Sequence, residues 1–429
     1  MKIIYFVAIL IITSFSLELN AQKNSKILLE HGYLHVGNGQ IIESALIGIE
    51  NGKISLVRNS LAYTYSKKDW DTIINLNGQH IYPGFVAPNS TLGLTEIDGV
   101  KATHDFLEVG EFNPHIRTQI AFNSESDVIA TVRTNGVLIS QPTPRGGIIS
   151  GTSAIMNLNG WNWEDATVLN NDGIHVNWPS SIKHEHTTSN SITKSNNYED
   201  EKNKIYQFFT LSKSYSETNE HEKLDIRLEA MKDCFNGNKR VYIHANQIQE
   251  LLDIINFAKN FNIKYPVIVG GNDSYLIIDK LKDTKIPVMI SRLHNLPQNE
   301  DDAIDANFKL PALLQAGGVK FCLQNQGDME AMNSRNLPFL AGTAKTYGLT
   351  EEQAIQSISL SSCEIIGISE QYGSIEEGKN ATLFISNGNA LDMRSNNITS
   401  ILINGEFVSL SNHQEKLYKK YTDKYDHKF

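Results

Sequence analysis

The sequence predicts an α/β protein: a (β/α)8, TIM-type barrel carrying a small composite β-sandwich built from both chain ends. Two observations lead there. Short apolar strands alternate with amphipathic helices from about residue 80 to 370, the pattern of a parallel sheet covered by helices. Strand-and-turn patterns also occupy both flanks, and β segments at opposite ends of a chain meet in one satellite domain. Nearly 300 alternating residues suit an eight-stranded barrel. An open doubly wound sheet ranks second, because no glycine-rich turn follows the first strand.

The elements follow in order. Residues 27–60 alternate, with Gly-Asn-Gly and Glu-Asn-Gly-Lys as hairpin turns. GVLISQ (136–141) and RVYIHA (240–245) read as strands. Residues 247–261 carry Leu251, Leu252, Ile254, Ile255 and Ala258 at helical spacing. PVIVGG (266–271) is a strand, followed by a helix over 273–282, a strand over 286–291, a helix over 308–316 and a strand over 318–324. Helices near 335–347 and 351–360 end the barrel. GSIEEGKNATLFISNG and ITSILINGEFVSL return to strands. The implied domains are sandwich segments 23–80 and 371–412, a barrel over 81–370 and a helix over 413–429. Residues 183–204, KHEHTTSNSITKSNNYEDEKNK, are polar and nearly free of apolar residues and read as an exposed insertion or loop, so the His184/His186 pair inside it is a solvated loop feature.

Composition narrows the function. A formal net charge of −10 argues against a nucleic-acid or anionic-membrane binder. The N-terminus has a lysine, an apolar run over 3–16 and a small-residue region at Asn20-Ala21-Gln22, the pattern of a secretory signal peptide over 1–22. The expected location is periplasmic or extracellular, with no membrane span once the peptide is removed. Cys234, Cys322 and Cys363 match no zinc spacing and read as small buried apolar residues.

Several stretches resemble the amidohydrolase superfamily, in its exported, imidazolonepropionase-like branch. INLNGQHIYPGFVAPNSTLGL is similar to the family's first barrel strand. RNLPFLAGTAKTYGLTEEQAIQSISLSSCEIIGI is similar to its last helices, and YGSIEEGKNATLFI to its return into the β unit. The resemblance implies a barrel-mouth divalent metal, zinc for example, that polarises a carbonyl and activates water. It also implies hydrolysis of carbon–nitrogen bonds other than peptide bonds, in cyclic amides or dipeptide-like substrates.

Carried over by position, the metal ligands are largely missing. The first-strand histidine pair falls on Asn89 and Thr91. No lysine occurs between Lys101 and Lys183, and Asn157 stands nearest the bridging position. The sixth-strand histidine falls on Gly270–Gly271 beside Asn272, and the eighth-strand aspartate near Gln326, with Gln324 before it and Asp328 after it. His244 is the only retained ligand position. Neutral amides and one imidazole make a poor zinc site. The expectation is a degenerate, metal-poor mouth.

Other residues suggest chemistry without a metal. His244 at the C-terminal end of its strand, with His294 and Asp328 just past theirs, would form an acid/base cluster if they converge. QPTPRGGIISGTSAI (141–155) offers the Arg145 guanidinium to an anion or carboxylate, or is a tight turn. NGWNWEDA and IHVNWPS supply three tryptophans, more suited to packing than to a ligand wall. The tyrosine-lined C-terminal helix would pack on the barrel or a partner. The expected partners are a small amide or peptide-like ligand, a second copy, or an intact amidohydrolase that this chain would serve as a binding or scaffold subunit.

Overall fold

Two sheets organise the molecule. The structure, a computed structural model, describes residues 26–185, 191–218, 222–297 and 302–425. The expected signal peptide, and His186, lie outside these residues. None of the described helices is long and apolar enough to cross a membrane.

The first sheet takes strands from both ends of the chain. β1 (Ile27–His35), β2 (Ile41–Glu50) and β3 (Lys53–Asn59) form an antiparallel meander. β4 (Thr72–Asn75) and β5 (His80–Pro83) both run parallel to β1. The late strands β16 (Leu383–Ser386), β17 (Ile398–Ile403) and β18 (Glu406–Val408) extend the sheet from β5. Leu29, Leu34, Ile47, Ile81, Leu383 and Leu402 meet in one core, so residues more than 300 positions apart fold as one unit. His35 pins this unit to the barrel through its Nδ1, 2.6 Å from Glu352, while its ring stacks at 4.3 Å on Tyr82 of the same sheet.

The barrel sheet contains β6 (Phe85–Ser90), β7 (Val137–Pro142), β8 (Ile149–Asn157) and β9 (Thr167–Asn177). A hairpin, β10 (Ile182–Glu185) with β11 (Ser191–Lys194), follows. The sheet resumes with β12 (Arg240–Ala245), β13 (Pro266–Gly270), β14 (Val288–Ile290) and β15 (Phe321–Leu323). Sequential neighbours pair throughout, from β6 round to β15. Inward-facing Val86, Ile139, Ile155, Tyr242, Val269, Met289 and Cys322 fill the lower interior, while the outward faces pack under helices. All three cysteines are buried and unpaired, as their apolar reading expects.

Three local expectations need correction. β8 runs antiparallel to both β7 and β9, because the 143–148 and 158–166 connections are too short for the crossover that parallel neighbours require. Asn157 therefore ends at the bottom of the barrel, opposite Ile139, where its Nδ2 holds the Asp165 and Ala166 carbonyls. Finally, the 183–204 stretch is not wholly loop. His184 sits on the β10 hairpin, and from Tyr198 the chain is helical to Glu217, anchored by buried Tyr198, Ile205 and Phe209. The apolar residues that define this helix lie mostly beyond residue 204, so the polar window alone concealed it.

Candidate functional site at the barrel mouth

The C-terminal ends of the strands carry two polar networks. The first joins β6 to the segment after β15. Asn89 has φ 49°, a left-handed conformation that asparagine tolerates better than most residues. Its N–H donates to Gln141 Oε1 (2.9 Å), and its Nδ2 donates to Gln324 Oε1 (2.9 Å) and Gln326 Oε1 (3.0 Å). No strand ladder joins β15 to β6 among the described residues, so these amide contacts bridge the seam.

Arg145 fills the remaining acceptors. Its Nη1 donates to Asn89 Oδ1 and its Nη2 to the Asn89 carbonyl, each at 2.9 Å. Its Nη2 also lies 3.0 Å from Glu330 Oε1, and both side chains are largely buried. The loop holding Arg145 is strapped down by the 104–117 segment: Arg145 N–H donates to Phe106 O, and Asn113 N–H to Ile149 O. The anion that Arg145 meets is thus an internal carboxylate. Thr91 is buried beside this network without a side-chain hydrogen bond in it.

The second network lies across the mouth, on β8, β9 and β12. Asp172 is fully enclosed and accepts from Ser153 Oγ (2.5 Å), Tyr242 OH (2.7 Å) and Gln141 Nε2 (2.8 Å). Ser153 Oγ also lies 2.8 Å from His175 Nε2, and His175 Nδ1 lies 3.0 Å from His244 Nε2. Burial raises the Asp172 carboxyl pKa, opposed by its three hydrogen-bond donors and the charge of Arg240. Burial lowers His175, helped by His244 and Arg145. Burial likewise brings His244 down from 6.5 to about 3, with the guanidinium of Arg145 adding to the shift. Both rings are neutral at pH 7.

A polar cavity of about 380 Å³ opens over this second network. Asn177, Trp178, His244, Asn246, Ser291 and Gln326 are among its walls. Glu250 also lines it, but both its carboxylate oxygens are occupied by N–H groups of Ser181, Asn246 and Gln247. Trp178 forms wall and packing together: it is buried, meets Phe257 edge-on, and donates Nε1–H to Tyr198. Trp161, by contrast, is 90 % exposed.

The expected His244–His294–Asp328 cluster does not form. His294 bonds Thr343 in a separate depression, and Asp328 is exposed, with its backbone carbonyl held by Arg292. Asn272 begins the short helical turn after β13, away from the cavity lining. His244 is joined instead by His175, which the sequence reading missed. Its only signal was the alternation of Ile174 and Val176 with His175 and Asn177, hidden behind the turn-like Asn-Asn-Asp-Gly preceding it.

The sequence profile of the amidohydrolase family matches residues 166–408, more than half of the chain. The chain belongs to the amidohydrolase family. Its fold is similar to that of an amidohydrolase from Thermotoga maritima, at TM-score 0.76 and 23 % identity, over 89 % of this chain and 99 % of that one. An Xaa-Pro dipeptidase with bound methionine superposes at TM-score 0.54 and 14 % identity, over 90 % of this chain and 100 % of that one. An A. niger ochratoxinase superposes at 0.56 and 12 %, over 91 % and 98 %. No curated protein matches the chain.

The amidohydrolase fold implies a mouth metal, and the donor chemistry here does not suit one. Among the described residues no three His, Cys, Asp or Glu side chains converge as a metal site. At the first-strand position Asn89 has its carbonyl oxygens turned to a guanidinium and its amide to two glutamines. At the sixth strand, Gly270 has φ 108°, and even a Cβ there would lie 2.5 Å from Asn246 Oδ1 and 2.7 Å from the Ala245 carbonyl. A histidine cannot be accommodated without moving that backbone.

Proposed function

We propose that this chain is an exported, imidazolonepropionase-like amidohydrolase whose mouth has exchanged the divalent cation for the fixed guanidinium of Arg145. It would bind a small amide or peptide-like molecule in the cavity beside His244. Its inherited chemistry is hydrolysis of carbon–nitrogen bonds other than peptide bonds in cyclic amides or dipeptide-like compounds. The observation that carries this reading is the Arg145 clamp on Asn89 and Glu330, which sets a permanent positive charge against the first-strand ligand position. A metal cation there would meet that charge, with the neighbouring Glu330 carboxylate already paired to Arg145.

The same clamp also favours a second reading, a binding subunit that pairs with an intact amidohydrolase. Elemental analysis of the purified protein tests the shared premise: zinc or iron at one equivalent or more overturns it. Assays with N-acyl amino acids and dipeptides, with and without chelator, then separate the readings. Chelator-insensitive turnover abolished in His244→Ala supports the hydrolase. No turnover alone, together with an intact amidohydrolase co-purifying from the native source, supports the subunit.

A further inference from the structure

We propose that the Asp172–Ser153–His175 chain fixes the tautomer of His244, making its Nδ1 a hydrogen-bond acceptor for a neutral ligand that offers an N–H or O–H group. The proposal rests on the mouth being a ligand site, as read above, and adds the chemistry of recognition.

The direction of each hydrogen bond follows from one fixed point together with Asp172 being a carboxylate. Asn89 N–H is a backbone donor, so the Gln141 atom facing it at 2.9 Å is the carbonyl Oε1. The other amide terminus, Nε2, must then donate to Asp172 Oδ2, which also receives Tyr242 OH. With Asp172 accepting at both oxygens, Ser153 spends its hydroxyl proton on Oδ1. Ser153 Oγ must therefore accept from His175 Nε2–H. A neutral His175 has only one N–H, so its Nδ1 is an acceptor and takes the proton of His244 Nε2–H. Neutral His244 is left with a lone pair on Nδ1.

That lone pair is available to a ligand. No donor among the described residues meets His244 Nδ1, nor is the atom sealed off as a buried nitrogen without a partner. His244 forms part of the cavity wall. The described lining offers no open ionic group, since its one carboxylate, Glu250, is saturated by backbone N–H groups and Ser181. An anionic ligand would lose hydration there and meet the Glu250 carboxylate rather than a counter-charge, whereas a neutral donor gains an acceptor whose direction is already set.

The test uses full-length protein carrying nitrogen-15-labelled histidine, with its metal content measured first. Long-range proton–nitrogen spectra, assigned through His244→Gln, read the tautomer directly. The expected result is a protonated Nε2 and an unprotonated Nδ1 on His244, with both nitrogens moving toward averaged positions in Ser153→Ala. Acetamide and acetate, alike in shape but differing in donor capacity, serve as probes. Acetamide should shift the Nδ1 signal at millimolar concentration, and acetate should shift it at least fivefold less. A protonated Nδ1, as a carboxylic acid at Asp172 would impose by reversing every bond in the chain, overturns the proposal. So does an unchanged tautomer in Ser153→Ala, or a response to acetate equal to that for acetamide, or none to either. Bound metal would overturn the earlier reading instead, and is recorded separately.

Discussion

The two halves of the barrel mouth use similar residue types in opposite ways. On the β6, β7 and β15 side, Asn89, Arg145, Gln326 and Glu330 bond chiefly to one another, and the 104–117 strap covers the loop that carries the arginine. On the β9, β12 and β13 side, the polar groups lead from a sealed carboxylate to a ring on the edge of a cavity. A charged group is tolerated in the first half because its counter-charge is built in. The second half has no cation among its described cavity walls, and its one carboxylate, Glu250, is held by backbone N–H groups, which leaves His244 to meet a neutral molecule. Saturation thus separates structural polarity from polarity left for binding.

The comparison can be broken most directly at Arg145. Arg145→Met leaves the Asn89 carbonyls without their guanidinium donor and the Glu330 carboxylate without its counter-charge, with only Gly327 N–H among the described residues still donating to it. Removing one member of a mostly buried pair should cost about 3–5 kcal/mol in chemical denaturation. A loss under about 1 kcal/mol would mean that the clamp is not a brace. Glu330→Gln should cost less, because an amide oxygen still accepts from the guanidinium.

The second half should reveal itself through pH. In the unfolded chain both His175 and His244 gain a proton near pH 6.5, whereas folded His244 resists until about 3 and His175 also titrates far below 6.5. The unfolded state therefore binds more protons as pH falls from 6.5 toward 3, and stability drops over that window. Urea midpoints across the range should show this slope, flattened in His244→Gln. An unchanged slope would place the acid sensitivity elsewhere.

The smallest effect is expected outside both halves. Trp161 is 90 % exposed, so Trp161→Ser should change stability by no more than about 0.5 kcal/mol. A larger loss would show that this tryptophan has a packing role that its exposure does not suggest.

Much of the architecture was legible in the sequence, because strand and helix periods are local. The helix at Ile248–Asn260 follows from its own apolar spacing, and the capping box at Gln247 and Glu250 is carried by residues three apart. The antiparallel third strand was legible in principle, from the shortness of the 158–166 connection. His175 was harder to read. Its strand contains Gly173, which looks like a turn residue, yet a Cβ there would lie 2.4 Å from the Tyr242 ring, so the glycine makes room for an aromatic neighbour.

By itself the sequence determined the alternation that builds the barrel, the β segments at both ends, and the absence of histidine at positions 89 and 91. Only the tertiary structure decided what the residues at those positions meet. Arg145 and Glu330 are 185 residues apart, and His175 and His244 are 69 apart. A period is set by bonds along the chain, whereas these pairs exist only once the sheet has curved far enough to bring distant strand ends to the same face.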